Sequence, residues 1–301
     1  MKKISIIIPC YNSAVNIPDT SVELLKLKND IEAKGLAVEF VMVEDGSTDS
    51  TMQELLGFKE QIPELVKIIQ LAGNWGSYNA LLAGCNYATG DACVQLHIDL
   101  QDPPEHIPEM IDYWLKGNKL VIGQRVKREE DFLYLITAGL YHWLIKKFAL
   151  PYIPEGGYDL ILFDREICNH IVRMNETNTN LVYLMSWLRY PYIAIPIVRR
   201  KRVKGESGWT FSKRVKLAID SFVSFSYFPV RVVTFFALIS ILLFFTATCA
   251  LLVLNSFDLK IWLLSLVSMA ILVSLSIVAE YLWRALEATR KRPPFVVYKE
   301  Y

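Results

Sequence analysis

Three short clusters of oxygen-bearing residues stand out in this chain, each at the end of an apolar run. The first is Tyr11-Asn12 after Ile4–Ile8 and Pro9. The second is Glu44-Asp45-Gly46-Ser47-Thr48-Asp49 after Val38–Val43. The third is Asp99, Gln101 and Asp102 within VQLHIDLQDPP, closed by Pro103 and Pro104. Carboxylate and amide oxygens at a strand's end suit a hard divalent cation, Mg2+ or Mn2+, that already carries phosphate oxygens. One Asp beside a turn is ordinary loop chemistry. Three polar clusters at equivalent places favour a nucleotide site.

The elements between these clusters alternate. Short β-branched runs read as strands buried on both faces, at Ile4–Ile8, Val38–Val43, Val66–Leu71, Val94–Ile98, Leu120–Gly123 and Ile193–Val198. Between them lie helical patterns, among them Ile17 to Lys34, stopped by Gly35, and Asn79 to Ala88, after Asn74-Trp75-Gly76-Ser77. Ser47, Thr48 or Asp49 can cap the helix that follows the second cluster. This alternation predicts an α/β domain with a Rossmann-like, mostly parallel sheet and ligands at the strands' carboxyl ends. Neither GxGxxG nor GxxxxGK[ST] follows the first strand, so dinucleotide and P-loop sites have no support.

The chain has 301 residues, 53% hydrophobic and 21% charged, with a net charge near +1. Its mean hydropathy of +0.28 is too high for an ordinary soluble protein, so a soluble domain joined to a membrane part is expected. No strong field points to nucleic acid. Five scattered cysteines without a CxxC pair read as buried, reduced thiols. The apolar run after Lys2-Lys3 is too short for a signal peptide.

Val232–Leu254 and Ile261–Ala279 carry no charge over 23 and 19 residues. At 1.5 Å per residue they reach about 34 and 28 Å, enough for two transmembrane helices. Lysines and arginines flank the pair on its outer sides, which places both termini and the large domain in the cytoplasm by the positive-inside rule. Trp209–Phe228 mixes aromatics with Lys213, Arg214 and Lys216, as an amphipathic interfacial helix does. Phe132–Leu150 fits either an interfacial helix or a core helix. The run Arg199, Arg200, Lys201, Arg202, Lys204 is either a solvated basic surface or a phosphate clamp. The expected division is residues 1–208 for the catalytic domain, 209–230 for the interfacial helix, 231–284 for a two-helix anchor and 285–301 for a cytoplasmic tail.

With these residues placed, the chain resembles the glycosyltransferase family 2 enzymes that load a sugar onto a polyprenyl phosphate. Among them are dolichol-phosphate mannose synthases and bacterial undecaprenyl-phosphate glucosyltransferases of the GtrB type. The likeness rests on IIIPCYN (Ile6 to Asn12), VEDGSTDST (Val43 to Thr51), NWGS (Asn74 to Ser77), DLQDPPE (Asp99 to Glu105), RVKGES (Arg202 to Ser207), FSYFPVR (Phe225 to Arg231) and the two closing spans. It implies a GT-A type domain. Pro9, Tyr11, Asn12, Glu44, Asp45 and Gly76 would hold the nucleotide sugar, a UDP-sugar being favoured. Asp99 and Gln101 would hold Mg2+ or Mn2+, with His97 a further candidate ligand. Arg125, Arg128, Arg202, Lys204 and Ser207 would meet phosphate, and Asp159 would lie near the reacting centre.

The resemblance further implies inverting transfer to undecaprenyl phosphate at the inner membrane, self-association, and a flippase that carries the lipid-sugar onward to surface glycan such as O-antigen. Four positions depart from the pattern: Ser13, His97 in place of a carboxylate, Ile161 and Gly208. Two other functions compete with lipid-phosphate transfer: a transferase acting on a saccharide, and a membrane-anchored sugar-nucleotide scaffold without turnover.

Overall fold

A computed structural model describes residues 1–125, 132–154, 158–174, 181–200, 226, 231–233, 235–236, 238–239, 242, 246, 258–290 and 293–301. It divides into two compact units. One comprises Met1–Thr137, Tyr152–Lys213 and Pro293–Tyr301; the other comprises Ala138–Pro151 and Arg214–Arg292.

The first unit is built on one eight-stranded sheet. Its strands are β1 (Lys3–Cys10), β2 (Ala37–Glu44), β3 (Val66–Leu71), β4 (Ala92–Gln95), β5 (Leu120–Arg125), β6 (Tyr158–Asp164), β7 (Ile193–Ile197) and β8 (Val297–Glu300). They lie in the order β7-β5-β6-β4-β1-β2-β3-β8. β1 to β4 run parallel, and β5 and β7 share their direction; β6 and β8 run against them. The mixed α/β sheet agrees with the expected class. Strand four is shorter and earlier than its apolar run suggested, because Ile98 and Asp99 form a turn in which Leu100 takes a φ of 51°.

Helices cover both faces of the sheet, which explains why its central strands are apolar over most of their length. α1 (Ile17–Ala33), α2 (Thr51–Gln61) and α4 (Ile107–Leu115) carry Leu24, Leu27, Ile31, Leu55, Phe58, Met110 and Ile111 into a core with Ile4, Ile6, Ile8 and Phe40. α1 ends where the sequence places its stop, with Gly35 at a φ of 73°. On the other face, α3 (Ser77–Tyr87) approaches so closely that a Cβ on Gly84 would lie 2.2 Å from Ile7 Cγ2. α6 (Arg165–Met174) packs beside α3. Cys10, Cys85, Cys93 and Cys168 are free and buried, and Cys249 lies outside the described residues. α7 (Leu181–Leu188) precedes β7.

The second unit takes in most of α5 (Phe132–Phe148) and all of α8 (Asp258–Arg290). Ser226 Oγ donates to the Phe148 carbonyl at 2.5 Å, and Tyr281 OH donates to the Ser226 carbonyl at 2.9 Å. In α8, Trp262–Ala285 forms a 24-residue span that holds an 18-residue stretch of mean hydropathy 2.3, of which only 6% is buried. Leu272, Leu275 and Leu282 are all more than half exposed. Among the described residues this is the one helix long and apolar enough to cross a membrane. It extends beyond the Ile261–Ala279 run read from sequence, since Glu280 pairs with Arg284 one turn on and does not end the helix. The expected first span, Val232–Leu254, lies mostly outside the described residues, so a pair of spans is not established. Trp209–Phe228 likewise lies outside them except for Ser226.

At the amino ends of the strands a polar knot joins β1, β2 and the loop before β4. Glu39 is 6% exposed. It accepts from Ser5 Oγ (2.6 Å), Thr89 N (2.5 Å), Thr89 Oγ1 (2.8 Å) and Lys3 Nζ (2.8 Å). Burial pushes its carboxyl up, but the hydrogen bonds from Lys3, Ser5 and Thr89 outweigh this and hold it at about 2. Removing the acceptor strands the buried Ser5 hydroxyl and takes a partner from Lys3 and Thr89 at the same time. Glu39→Ala is therefore expected to cost about 3 kcal/mol of unfolding free energy in denaturant titration. Ligand binding at the far edge of the sheet should be unchanged.

Candidate functional site

The carboxyl ends of β1, β2, β3, β4, β5 and β7 share one edge of the sheet, and β6 begins there. That geometry brings together Tyr11-Asn12, Glu44-Asp45, the Asn74–Ser77 turn, the Asp99–Asp102 turn, Arg125 and Arg199-Arg200.

On the β1–β3 side, loops from three strands are tied by side chains. Asp45, 2% exposed, accepts from the backbone amides of Trp75 at 2.7 Å and Gly76 at 2.9 Å. Glu44 Oε1 accepts the Ser47 amide at 2.5 Å and closes the turn after β2. Gly46 sits at a φ of 67°, and a Cβ there would come within 2.4 Å of the Gly73 carbonyl carbon. Glycine is thus required both for its conformation and for the approach of the two loops. Asn12, at a φ of 45°, accepts from Thr48 N at 2.9 Å on its side-chain oxygen, while its own amide donates to Ser47 Oγ at 3.0 Å. Asp49 Oδ1 accepts the Thr51 amide at the start of α2, but the N-cap itself is Ser50, not one of the three residues read for it, and makes no side-chain cap bond. Asn12, Glu44 and Asp45 therefore shape the edge, whereas Tyr11 and Trp75 leave aromatic surface exposed beside it.

On the β4–β7 side the oxygen-rich turn is anchored from two directions. Thr20 of α1, 1% exposed, donates its hydroxyl to the Ile98 carbonyl at 2.7 Å. Asp99 Oδ1 accepts the Gln101 amide at 3.2 Å. The Gln101 carbonyl accepts the Arg200 amide at 2.8 Å, and Arg200 also pairs with Glu105 at 2.5 Å. Asp102 is 2% exposed and lies 3.5 Å from Arg199 Nε. Two members of the basic run thus engage the DLQDPPE turn. Sequence reading missed Thr20, whose partner lies 78 positions away, and read Arg199 as solvated surface or phosphate clamp because its carboxylate partner lies 97 positions away.

His97 is buried in the field of Asp99, Asp102, Arg125 and Arg199. Burial lowers its pKa, and Arg199 and Arg125 add to that against the opposing pull of Asp102 and Asp99, so the ring is neutral. Gln95 Nε2 and His97 Nε2 lie 3.3 Å apart, within hydrogen-bond reach. Asp159 lies near the start of β6, two residues before Ile161, the last β6 residue paired with β4 (opposite Gln95). Among the described residues, no group of three or more His, Cys, Asp or Glu side chains is arranged to hold a metal ion. Asp99 and Gln101 supply oxygen donors on one turn, which suits an ion completing its shell with diphosphate and water. Arg128, Arg202, Lys204 and Ser207 lie outside the described residues.

Burial raises the Asp45 carboxyl most; the Trp75 and Gly76 amides lower it, Glu44 raises it, and the balance stands at about 6, above its ordinary 3.8. A carboxyl raised in this way favours the folded chain fully below about pH 4 and loses that contribution as pH rises through about 6. Asp45→Asn should therefore remove a fall in stability between pH 4 and 6 that the parent shows in denaturant titrations. A stability difference between the two proteins that does not vary over this range would contradict the assignment.

The Glycosyl transferase family 2 model matches residues 5–172. An uncharacterized glycosyltransferase, YkcC of Bacillus subtilis (strain 168), is 31% identical, covering 99% of this chain and 94% of its own length. A prophage bactoprenol glucosyl transferase homolog of Escherichia coli (strain K12) is 30% identical over 98% of both chains. The bactoprenol glucosyl transferase of Shigella phage SfV is 34% identical, covering 78% of this chain and 76% of that one. Among solved structures, the mannosyltransferase PcManGT from Pyrobaculum calidifontis in complex with GDP-Man and Mn2+ aligns with a TM-score of 0.49 at 18% identity, covering 94% of this chain and 87% of that one. With the family model matching more than half of its length and relatives at 30% identity or above spanning most of it, the chain belongs to glycosyl transferase family 2 and is a glycosyltransferase.

Proposed function

We propose that this enzyme transfers a sugar from a nucleotide diphosphate sugar, a UDP-sugar, to polyprenyl phosphate at the cytoplasmic face of the inner membrane, with inversion at the anomeric carbon. The observation that carries this reading is the meeting of an oxygen-donor turn, Asp99 to Asp102, with Arg125 at the end of β5 and with the basic run after β7, whose first two arginines brace that turn. Such an edge suits two anionic reactants, a donor diphosphate and an acceptor phosphate. The exposed 24-residue apolar span in the same chain fits a lipid acceptor. Two relatives are named for bactoprenol and for glucosyl transfer, so UDP-glucose heads the panel of donors to test.

In this reading Tyr11 lies against the base, and the loops braced by Asn12, Glu44 and Asp45 set the path of the nucleoside beside Gly76. Asp99 and Gln101 hold Mg2+ or Mn2+, which, when bound, neutralises charge gathering on the departing diphosphate. Arg125 meets donor phosphate, and Arg128, Arg202, Lys204 and Ser207 meet phosphate from donor or lipid. A phosphate acceptor is anionic near neutral pH, so it attacks without a strong general base. Asp159, at the start of β6, orients the acceptor and does not need to remove a proton. Catalysis then rests on holding the acceptor oxygen in line with the anomeric carbon and its leaving group. His97, buried in the field of Asp99 and Asp102, is a further candidate ligand to the ion.

The basic residues around α8 favour both termini in the cytoplasm, with residues 231–284 as the anchor. A lipid-sugar product made on that face needs a flippase to reach surface glycan, and self-association through the anchor is consistent with this plan. Asp99→Asn tests the site. In detergent, with UDP-glucose, Mn2+ and undecaprenyl phosphate, it is expected to lower transfer by at least about 100-fold while leaving the unfolding transition intact. Near-normal turnover would remove Asp99 from the reaction.

A further inference from the structure

We propose that residues 293–301, which follow the apolar helix in sequence, form a positioning segment of the nucleotide site. The proposal rests on the functional reading above for what the site binds, and on geometry alone for how the segment acts.

β8 pairs antiparallel with β3, setting Glu300 against Ile69, Lys299 against Gln70 and Val297 against Leu71. Tyr301 N donates to the Ile68 carbonyl at 2.9 Å and Ile68 N donates back to Tyr301 at 3.1 Å. The Tyr301 hydroxyl reaches Gln70 Oε1 at 3.3 Å. Gln70 in turn is the register partner of Glu44 on β2. Because β8 runs against the sheet, its amino end lies at the edge where the site is. There Ala72 N donates to the Val296 carbonyl at 2.8 Å, one bond beyond the end of β3. Pro294 is buried just before it.

Ala72 opens the loop that matters. Gly73 lies under Gly46, and the amides of Trp75 and Gly76 are those bound by Asp45. One side of the loop is thus held by Asp45 and the other by Val296. A pure edge cover would end with the strand it covers; this segment continues past β3 and grips the loop. Without it, the loop must be ordered when nucleotide binds, and the ordering entropy weakens affinity.

The test compares the full chain with one ending at Arg292, in detergent, using uridine diphosphate with Mn2+ as the probe. The expected result is a Kd raised about tenfold, with faster hydrogen exchange at the Trp75 and Gly76 amides, which β8 does not itself touch. Adding a synthetic peptide of residues 293–301 should restore both. Should the shortened chain not fold, Lys299→Pro in the full chain, which breaks the ladder opposite Gln70, replaces it with the same expectations. Unchanged Kd and unchanged exchange at Trp75 and Gly76 would overturn the proposal. Failure of the full chain to bind the probe would overturn the functional reading, and the exchange measurement alone would then decide the positioning role.

Discussion

Strand direction is the constraint on which this structure depends. Six strands that run one way deliver their following turns to a single edge. Residues as distant in sequence as Tyr11, Asp45, Asp99, Arg125 and Arg200 then share a surface without any local signal linking them. The opposite edge carries the Glu39 knot, so the candidate binding residues and this fold-holding cluster are separated by the length of the strands. The reversed strands add to the binding edge rather than interrupt it, because their amino ends bring Asp159 and Val296 there.

Much of this was legible in local pattern. Ile4–Ile8, Val66–Leu71 and the helix stopped at Gly35 each announce themselves by periodicity or by a glycine, and the structure forms them nearly as read. β6 and β8 were not legible. Tyr158–Asp164 is short and apolar, and nothing within seven residues states which neighbour it will join or in which direction. β8 pairs with a strand more than 200 positions earlier, across the whole apolar helix. Strand four failed at its boundary for a different reason. Ile98 is apolar because it is buried in a turn beneath Thr20, and an apolar residue in such a turn looks like one in a strand.

The candidate site shows the same division. Residue types predicted an anion- and metal-handling edge, and the turns that carry those types do converge. Individual duties were harder to read. Asn12, Glu44 and Asp45 spend their oxygens on neighbouring backbone, so their chemistry shapes the loops. Arg199 and Arg200 face carboxylates of the Asp99–Glu105 segment, which converts part of a basic run into a brace. Polar residues at a ligand edge have two competing partners, the ligand and the loop, and only the fold settles which one each side chain meets. Family membership, resting on the whole matched length, was the firmest inference the sequence allowed.

The central claim is transfer to a lipid phosphate, and the chemical nature of the product tests it most directly. The purified full chain would be incubated in detergent with undecaprenyl phosphate, Mn2+ and radiolabelled UDP-glucose, followed by the other labelled nucleotide sugars. The account predicts label in the organic phase from one donor, stable to lipid extraction and released by mild acid, as a sugar on a polyprenyl phosphate must be. Label appearing only on added saccharide, or no product from any donor while nucleotide still binds, would contradict it.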